Sequence, residues 1–303
     1  MKAAVVFDLQ QGPVWSDFRD PQPGEHQALV EVRAAAISHV VKGRASGKHY
    51  SFDGRLPFVP GIDGTGILPG GERVYFAFPV ALNHCLPLPD ALDDITAAAM
   101  ANPGMSAWAA LVKRAGMKAG ETVLINGATG SAGQLAVQIA RFLGARKVIA
   151  CGRNVEKLAA LGADETVNLS QDEADLRTQF AGLAAQQIDV VVDYLWGRSA
   201  ELLLPALAKH SPGNAPVRFI QVGSLSAADI SLNGAVLRSS PLQLMGSGIG
   251  SLSVPQLLAA TGEMLQAAVA GGLTIATTPR PLREVATAWP QDDSQKRTVF
   301  LVD

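Results

Sequence analysis

The sequence predicts an α/β protein built around a doubly wound parallel sheet, and three observations lead to this fold class. From about residue 119, short apolar runs alternate with segments whose apolar residues recur at helical spacing. A turn of small residues joins the first of these runs to the helix that follows it. Residues 1 to about 105 instead contain short strand-like runs broken by Pro and Gly, which indicates a separate β-rich part.

The N-terminal part is predicted to form short strands and two short helices. Strands are predicted at 2–7, in the alternating run 27–32 and, after a turn, within 71–76, while 57–66 is a turn-rich passage. Residues 87–89 contain two prolines and predict a loop. Helices are predicted at 94–100 and 106–113, separated by Asn102-Pro103-Gly104, because Pro and Gly disfavour a helix interior.

The stretch from residue 121 to 157 predicts one βαβ unit. It contains a buried strand at 122–125, a turn at 126–133, an apolar-periodic helix that ends at Gly144, and a strand at 147–151. Further helices are predicted at 154–161, 173–184 and 199–209, and further strands at 165–169, 189–193, 217–222 and 242–245. These strands fit a doubly wound sheet. The tail is predicted to add helices at 255–270 and 281–289 and a strand at 298–302.

Composition and charge narrow the classes of function. A chain of 303 residues with 48% apolar residues is long enough for two domains with a sizeable core. The net charge is −2 and no long run of Lys or Arg occurs, so we expect neither a nucleic-acid partner nor a membrane partner. No apolar run approaches the roughly 20 residues of a membrane span.

The N-terminus and the cysteines predict a cytoplasmic enzyme. Residues 2–7 enter a strand directly, and this apolar run is too short for a signal peptide. The sequence contains two cysteines, Cys85 and Cys151, which cannot build a disulfide framework or a four-thiolate zinc site.

Dinucleotide binding gives the small-residue turn a physical use. Gly130 is expected to turn the chain out of the strand and to let the backbone approach a pyrophosphate, and Gly133 to let the helix pack on the sheet. Free N–H groups at the helix N-terminus would face the anion. The predicted cofactor-binding residues here are Ala128, Thr129, Gly130, Ser131, Ala132 and Gly133. Because Ala128 occupies the first glycine position of the G-x-G-x-x-G frame, an ordinary tight turn is the alternative.

The end of the second strand predicts the coenzyme. An NAD site usually places Asp or Glu there to bind the ribose hydroxyls. This chain has Gly152, Arg153 and Asn154, with Lys157 one helical turn later, so the acid is missing and two cations are present. We expect these four residues to bind the cofactor, because the cations suit the extra phosphate of NADP. The alternative is that both cations are solvated residues at the start of a helix.

Residues that follow the later strands complete the predicted cofactor crevice. They are Tyr194, Gly223, Ser224, Gly246 and Ser247. Ligands of doubly wound sheets bind outside the carboxyl ends of the strands, so these residues are expected to line the crevice. Each of them alone is more typical of an ordinary turn.

Several segments together resemble the medium-chain dehydrogenase/reductase superfamily, and more closely its zinc-independent quinone oxidoreductase branch. They are Ala34-Ala35-Ala36-Ile37-Ser38, residues 57–66, 71–74 and 87–89, Gly104-Met105-Ser106-Ala107-Trp108, the turn 126–133, Leu161-Gly162-Ala163-Asp164 and Arg280-Pro281-Leu282. The resemblance implies a Rossmann NADP-binding domain of residues 110–250, inserted in a GroES-like β-rich substrate domain of residues 1–109 and 251–303. It also implies a cofactor contact from Ser106 and a homodimer that pairs through the last Rossmann strand.

Departures from the family pattern predict that no zinc is bound. Zinc-dependent relatives carry Cys where this chain has Ser38 and His where it has Ile62, and a third thiolate is expected near residues 101–102. Catalytic zinc needs three protein ligands, so the predicted cofactor is NADP(H) without zinc. The pair His84 and Cys85 supplies too few ligands and is expected to lie in a buried strand or loop.

The resemblance implies a zinc-independent, NADPH-dependent oxidoreductase that reduces small molecules, namely quinones or α,β-unsaturated carbonyls. Without a metal, hydrogen-bond donors must stabilise the charge that develops on the acceptor oxygen. The candidate catalytic donors are Ser38, His39, Arg44 and Tyr50. The segment 38–41 lacks the aspartate of the family's Asn-Pro-x-Asp motif. An alcohol dehydrogenase, an enoyl-thioester reductase and a low-turnover NADPH-binding sensor or scaffold are therefore alternatives.

Overall fold

The computed structural model describes residues 1–49, 51–77, 84–213, 215–292 and 296–302 of the chain. The chain divides into two compact units. The first combines Met1–Asn102 with Thr261–Asp303, and the second consists of Pro103–Ala260. The second unit is therefore an insertion in the sequence of the first. The assignment of one as a substrate domain and the other as a cofactor domain stays a prediction.

The described ranges contain runs of consecutive strands up to Pro87 and alternating strands and helices from Thr122 to Gln221. The strands are β1 (Lys2–Val5), β2 (Val14–Asp17), β3 (Glu31–Ala36), β4 (Asp63–Ile67), β5 (Arg73–Ala77), β6 (Cys85–Pro87), β7 (Thr122–Asn126), β8 (Lys147–Gly152), β9 (Glu165–Asn168), β10 (Val190–Asp193), β11 (Arg218–Gln221), β12 (Gln243–Gly246), β13 (Thr277–Pro281) and β14 (Arg297–Leu301). The α-helices are α1 (His39–Ala45), α2 (Asp94–Trp108), α3 (Ser131–Phe142), α4 (Val155–Ala160), α5 (Glu173–Ala185), α6 (Gly197–His210), α7 (Ala235–Arg238), α8 (Val254–Gly271) and α9 (Val285–Ala288). A π-helix, Ala109–Arg114, follows α2, and a 3-10 turn, Leu282–Glu284, precedes α9. None of the helices in the described ranges has the length and hydropathy needed to cross a membrane.

The first unit is built mainly on antiparallel strands. β1 and β2 form an antiparallel pair. A six-stranded sheet has the order β13-β14-β3-β4-β5-β6, and its pairs are antiparallel except for the parallel pair β13–β14. In this order the C-terminal strand β14 lies beside β3, with Phe300 opposite Ala35. The tail of the chain therefore completes the sheet that the N-terminal residues begin.

The second unit is a doubly wound parallel sheet. Its strand order is β12-β11-β10-β7-β8-β9, and all five pairs are parallel. The central strands β7 and β10 are buried along their whole length. Strands of a parallel sheet are usually covered by helices on both faces, which explains why these runs are continuously apolar in the sequence. The predicted α/β fold class is confirmed.

Helices of the second unit pack on its sheet through fully buried apolar side chains. Leu135 and Ile139 on α3 lie one helical turn apart and are both buried. Phe180 on α5 and Leu203 on α6 join Phe219 of β11 in one apolar core. Each such side chain contributes roughly 1.5–3 kcal/mol by leaving water, so this core holds the strand ends in fixed positions.

The structure differs from the predicted elements at α2. The sequence predicts two helices separated by Asn102-Pro103-Gly104, but α2 runs through these residues and continues as the π-helix. Pro103 has no N–H, so it costs the helix one hydrogen bond. The residues at 97–101 are all buried, and their packing outweighs the local preference of Pro and Gly for a break.

Three further predicted elements are wrong in position. The strand predicted at 27–32 is found at Glu31–Ala36, and the predicted loop 87–89 begins with the last residue of strand β6. The helix predicted at 281–289 is instead the end of β13, a 3-10 turn and the short α9. The strands in question pair with partners that are distant in sequence, and local patterns do not report such pairing.

Asp63 and Tyr75 form a buried polar pair in the first unit. They lie on the neighbouring strands β4 and β5, and the Tyr75 hydroxyl donates to Asp63 Oδ2 at 2.8 Å. Burial raises the pKa of Asp63 to about 6, although the Tyr75 hydrogen bond and the charge of Arg297 oppose the rise. The buried Asp63 Oδ1 and Arg297 Nε have no hydrogen-bond partner within the described part of the chain. We therefore expect the stability of this sheet to depend on pH.

Candidate functional site

The carboxyl ends of the parallel strands meet at one edge of the second unit's sheet. The register places Asn126, the last residue of β7, opposite Cys151 of β8 and Asp193 of β10. Asp193 is in turn opposite Gln221 of β11, which is opposite Gly246 of β12. The segments that follow these strands contain most of the residues predicted to bind the cofactor, so the structure brings those residues to one edge.

Gly127 turns the chain out of β7. Its φ is +94°, a conformation that side chains disfavour. Its N–H and that of Ala128 donate to the Cys151 carbonyl at 3.0 and 2.8 Å, which ties the turn to β8. A Cβ on Gly133 would lie 2.2 Å from the Gly127 carbonyl oxygen, so glycine is required where α3 starts against the turn.

Gly130 does not have the conformational role that the sequence predicts. Its φ is −80°, which any residue adopts, and it is the N-cap of α3. The prediction that Gly130 makes the tight turn is wrong, because Gly127 makes it. A Cβ on Gly130 would meet only the Gly127 carbonyl oxygen, at 3.8 Å. The protein thus leaves an open cradle in front of Gly130 that a Cβ would begin to fill.

The start of α3 presents free amides to this cradle. No acidic side chain occupies its first turn, and Ser131 and Ala132 are half-buried there. First-turn N–H groups have no partner within a helix, and the helix dipole favours an anion beside them. The Thr129 carbonyl is held by the Gln134 side chain, which donates to it at 2.9 Å. The arrangement suits an oxyanion such as a pyrophosphate.

The end of β8 adds two cations beside the turn. A Cβ on Gly152 would lie 2.6 Å from the Thr129 methyl group, so Gly152 lets the two segments touch. Asn154 caps α4 by accepting the Lys157 N–H at 2.9 Å, and its side chain therefore serves the helix. Arg153 is exposed and Lys157 is half-buried at the start of the same helix. Arg153 therefore directly follows the residue that touches the glycine turn, and Lys157 lies one helical turn later.

Tyr194 follows β10 and has a buried phenol. Burial raises the pKa of this phenol, and the hydrogen bonding of the Ser106 hydroxyl to it opposes the rise. The Ser106 hydroxyl also donates to the Pro103 carbonyl at 2.8 Å. The structure thus brings together two predicted cofactor-binding residues that are distant in sequence.

The other predicted residues follow β11 and β12. A Cβ on Gly223 would lie 2.8 Å from the Tyr194 carbonyl oxygen, so this glycine allows two strand-end loops to touch. Ser224 and Gly246 are exposed, and Ser247 is buried. Gly223 therefore has a packing role, whereas Ser224 and Gly246 stay accessible at the edge of the sheet.

A polar network beneath the turn is not predicted from the sequence. The Asn126 amide donates to Asp193 Oδ1 at 2.8 Å and to the Ser199 hydroxyl at 2.9 Å. Asp193 Oδ1 also accepts the N–H groups of Leu195 and Trp196, at 2.9 and 3.1 Å. Burial raises the pKa of Asp193, and these donors oppose the rise. The signal available in the sequence is that an Asn and an Asp end two apolar strands.

Ser38 and His39 of the first unit adjoin at the start of α1. Ser38 is the buried N-cap of the helix, and its hydroxyl oxygen accepts the Val41 N–H at 3.1 Å. His39 is an exposed residue whose ring is nevertheless partly covered by protein. This partial desolvation, followed by the charges of Arg297 and Lys42, lowers the pKa of the imidazole from the usual 6.5. Ser38 therefore has a structural task, whereas His39 offers a neutral imidazole near neutral pH.

Arg44 lies near the other end of α1 and holds a loop. Its Nη1 donates to the Ser51 carbonyl and hydroxyl at 2.8 and 3.1 Å. Its guanidinium also lies over the Phe58 ring, 5.9 Å from the ring centroid. These contacts give Arg44 a structural role apart from Ser38 and His39. Tyr50, the fourth predicted catalytic residue, lies outside the described residues.

Side chains able to bind a metal do not cluster within the described ranges. No set of three or more His, Cys, Asp and Glu side chains there is arranged to bind a metal ion. Ser38 and Ile62, which occupy two of the implied zinc-ligand positions, are buried. Cys85 begins the edge strand β6, where it is half-buried and desolvation raises its pKa. Zinc independence stays a prediction.

Known proteins resemble this chain over most of its length. The family model described as zinc-binding dehydrogenase matches residues 132–263. A protein named probable NADPH-dependent quinone reductase, from Emericella nidulans, is 28% identical over 96% of this chain and 96% of its own length. A quinone oxidoreductase from Lama guanicoe is 30% identical over 75% of this chain and 73% of its own length.

A solved structure shares the fold. It is the quinone oxidoreductase from Thermus thermophilus, a protein whose structure is also known in complex with NADPH. The TM-score is 0.80 at 24% sequence identity, with 99% of this chain and 100% of the other chain covered.

Proposed function

The chain belongs to the medium-chain dehydrogenase/reductase superfamily, in its quinone oxidoreductase-like branch, and from this we propose that it reduces quinones or α,β-unsaturated carbonyls with NADPH and without zinc. Family membership makes it an oxidoreductase. The coenzyme, the substrate class and the absence of zinc are the proposal. The name of the Emericella nidulans relative supports NADPH and the quinone, and the name of the Lama guanicoe relative supports the quinone.

The open cradle at Gly130 is the observation that carries the proposal. Gly127 and Gly133 are glycines for reasons internal to the protein, namely a positive φ and a backbone contact. Gly130 has no such reason, since its φ is ordinary and its surroundings leave room for a side chain. A ligand that must approach the backbone closely supplies the missing reason, and the free amides of α3 select an anion.

The cations beside the turn favour NADPH over NADH. β8 ends in Gly152 and is followed by Arg153, so a carboxylate that would repel a phosphate is missing at this strand end. Arg153 can give a phosphate bidentate, charge-assisted hydrogen bonds, and Lys157 adds a second positive charge. NADPH, when bound, supplies a hydride. The residues of this unit hold and orient the coenzyme.

Among the predicted catalytic residues, His39 suits the substrate best. The Ser38 oxygen caps α1, and Arg44 is occupied by Ser51 and Phe58. The imidazole of His39 is exposed, and its lowered pKa keeps it neutral near neutral pH, so one ring nitrogen carries a proton. A neutral N–H donor can stabilise the negative charge that develops on a carbonyl or quinone oxygen.

Coenzyme binding and turnover test the proposal together. Calorimetric titration with NADPH and NADH gives the two dissociation constants, and loss of reduced-nicotinamide absorbance with a simple quinone and a simple enone gives turnover. We expect tight NADPH binding and steady oxidation with at least one acceptor. Binding without turnover would support the sensor or scaffold alternative. Preferred oxidation of an alcohol with NADP⁺ would support the alcohol dehydrogenase alternative, and no binding of either coenzyme would contradict the cofactor assignment.

We further propose a cytoplasmic homodimer that pairs through β12. This strand lies at one end of the parallel sheet in the described topology, so its outer edge has no strand beside it there, although its Gly246 carbonyl accepts Arg114 Nε at 2.9 Å. Sedimentation that shows a monomer at working concentration would contradict the dimer, and cell fractionation tests the compartment.

A further inference from the structure

Trp196 has a backbone conformation that residues with a side chain rarely adopt. Its φ is +57° and its ψ is −149°, close to a region occupied almost only by glycine. Such a conformation costs free energy and persists only where the surrounding structure enforces it. Trp196 lies at the N-terminus of α6, three residues after β10 ends at the edge that carries the candidate cofactor site.

Two anchors hold Trp196 in this conformation. The first is the Asp193 carboxylate, to which the Trp196 N–H donates at 3.1 Å to each oxygen. The second is the indole, which packs on the core of the second unit and meets the Phe219 ring edge-on, with 6.4 Å between the ring centroids and 63° between the planes. A hydrogen-bonded carboxylate and a packed ring therefore fix the backbone from opposite ends of one residue.

Tyr194 and Leu195, the two residues between Asp193 and Trp196, form a wall against which the glycine turn packs. A Cβ on Gly127 would lie 3.1 Å from the Leu195 side chain and 3.2 Å from Tyr194 Cβ. On the other side, the carbonyls of Tyr194 and Leu195 accept from Leu225 and Ser226 at 3.3 and 2.9 Å. The wall therefore contacts the segments after β7 and β11, and any change in its backbone moves Tyr194.

We propose that Trp196 is a positioning residue: its indole anchors a strained turn whose backbone fixes Tyr194 against the glycine turn. Tyr194 touches the turn that is proposed to hold the coenzyme, so the effect on coenzyme binding rests on the proposed function. The effect on Tyr194 itself rests on the contacts alone.

Two substitutions that remove the same ring separate anchoring from simple packing. Trp196→Ala loses the indole but keeps a Cβ, so the strain remains without its anchor and the turn relaxes. Trp196→Gly also loses the indole, but glycine adopts the native φ and ψ without strain, so the turn persists. Trp196→Gly is thus expected to keep the turn conformation that Trp196→Ala loses. This reverses the usual order, in which a glycine substitution is the more damaging of the two.

The position of Tyr194 can be read without coenzyme by ¹⁹F NMR of protein labelled with 3-fluorotyrosine. The chain has three tyrosines, and Tyr194→Phe identifies the Tyr194 resonance by its loss. We expect the Tyr194 resonance to shift or broaden in Trp196→Ala. In Trp196→Gly we expect it to stay sharp, as a single signal at the wild-type position. The NADPH dissociation constant is expected to rise roughly tenfold in the alanine variant, equivalent to about 1.4 kcal/mol, because a displaced Tyr194 no longer supports the turn that is proposed to hold the coenzyme. It is expected to stay within about twofold of wild type in the glycine variant.

Equal behaviour of the two variants, both in the resonance and in the dissociation constant, would overturn the proposal, because packing alone would then explain Trp196. If wild type does not bind NADPH, the proposed function fails, and the coenzyme-free resonances still decide whether Trp196 positions Tyr194. If the alanine variant does not fold, Trp196→Phe keeps an aromatic anchor and must retain the wild-type Tyr194 resonance. A displaced resonance in Trp196→Phe would overturn the proposal.

Discussion

The carbonyl oxygen of Gly127 faces the Cα of Gly133 so closely that a Cβ built on Gly133 would lie 2.2 Å from it. This contact sets α3 against the end of β7 and leaves no room for a methyl group. Gly130 lies between the two residues in the same turn, yet a Cβ built on it would meet only the Gly127 carbonyl oxygen, at 3.8 Å, which is an ordinary contact distance. One glycine therefore serves the fold, while the other is explained by a ligand, and paired substitutions can separate the two roles.

Gly133→Ala is expected to destabilise the protein. The new methyl group would collide with backbone atoms of Gly127 and Ala128, which cannot rotate away as a flexible side chain could. Overpacking of this kind typically costs about 1–3 kcal/mol. Urea denaturation of the variant measures the loss directly. A free energy of unfolding equal to that of wild type would contradict the role assigned to this contact.

Gly130→Ser is expected to leave the fold intact and to weaken NADPH binding. Serine is a better N-cap than glycine, so the start of α3 keeps or gains stability, by at most about 1 kcal/mol. The serine side chain occupies the cradle, and the dissociation constant for NADPH is expected to rise by about tenfold or more, a loss of at least about 1.4 kcal/mol. Calorimetric titration measures it, with urea denaturation as the control. Unchanged binding would place the coenzyme elsewhere.

The sequence predicts the parallel sheet well because its strands are buried on both faces. Each central strand is then a continuous apolar run, as at 122–125, and the helices between them have their own period. The glycine frame is less informative. It assigns the tight turn to Gly130, whereas the positive φ lies at Gly127, outside the frame. A motif gives the spacing of residues, but not which of them carries the unusual dihedral angle.

Features that depend on distant pairing escape the sequence. β13 pairs with β14 across a turn that the local pattern assigns to helix, and Asn126 meets Asp193 only because their strands are neighbours in the sheet. The strain at Trp196 is likewise invisible, since nothing in the letters Tyr-Leu-Trp-Gly marks a positive φ on the tryptophan. The missed features of the site are thus those created by tertiary contacts.

Asp63 is expected to make stability fall as the pH rises through the acidic range. Its pKa is about 6 in the folded protein against the usual 3.8, so the folded state holds the proton more tightly than the unfolded chain. The contribution of Asp63 to the free energy of unfolding is therefore complete below its pKa in the unfolded chain. It is lost as the pH rises through its pKa in the folded protein. A difference of about two pKa units corresponds to about 3 kcal/mol.

Asp63→Asn tests this expectation, because asparagine cannot ionise and still offers Tyr75 an acceptor oxygen. The free energy of unfolding of wild type, measured relative to the variant, is expected to decrease by up to about 3 kcal/mol between about pH 4 and pH 7. Denaturation in urea at several pH values measures it. Asp17→Asn, at an exposed position paired with Lys2, is the control and is expected to run parallel to wild type. Parallel curves for Asp63→Asn would refute the buried carboxyl as the source.

Activity is expected to be independent of zinc. Of the implied ligand positions, Ser38 caps α1 and Ile62 is apolar, so each side chain serves the fold and offers zinc no thiolate or imidazole. Purified protein is expected to contain zinc well below one ion per chain, by elemental analysis, and dialysis against a chelator is expected to leave NADPH oxidation unchanged. One tightly bound zinc per chain, lost together with activity, would refute this.

Arg153→Ala is expected to weaken NADPH binding and to leave NADH binding nearly unchanged. A hydrogen bond to a charged group contributes roughly 1.5–3 kcal/mol, or about one to two powers of ten in affinity. Arg153 is exposed, so water screens its charge and the lower half of that range applies. Titration of both coenzymes at low salt measures the effect, since added salt shrinks exposed ion pairs. Arg177→Ala removes another exposed arginine, one paired with Glu173 on α5, and serves as the control that should change neither dissociation constant. If wild type prefers NADH, or if Arg153→Ala weakens both coenzymes equally, then Arg153 does not bind the phosphate that distinguishes them, and the assignment of NADPH fails.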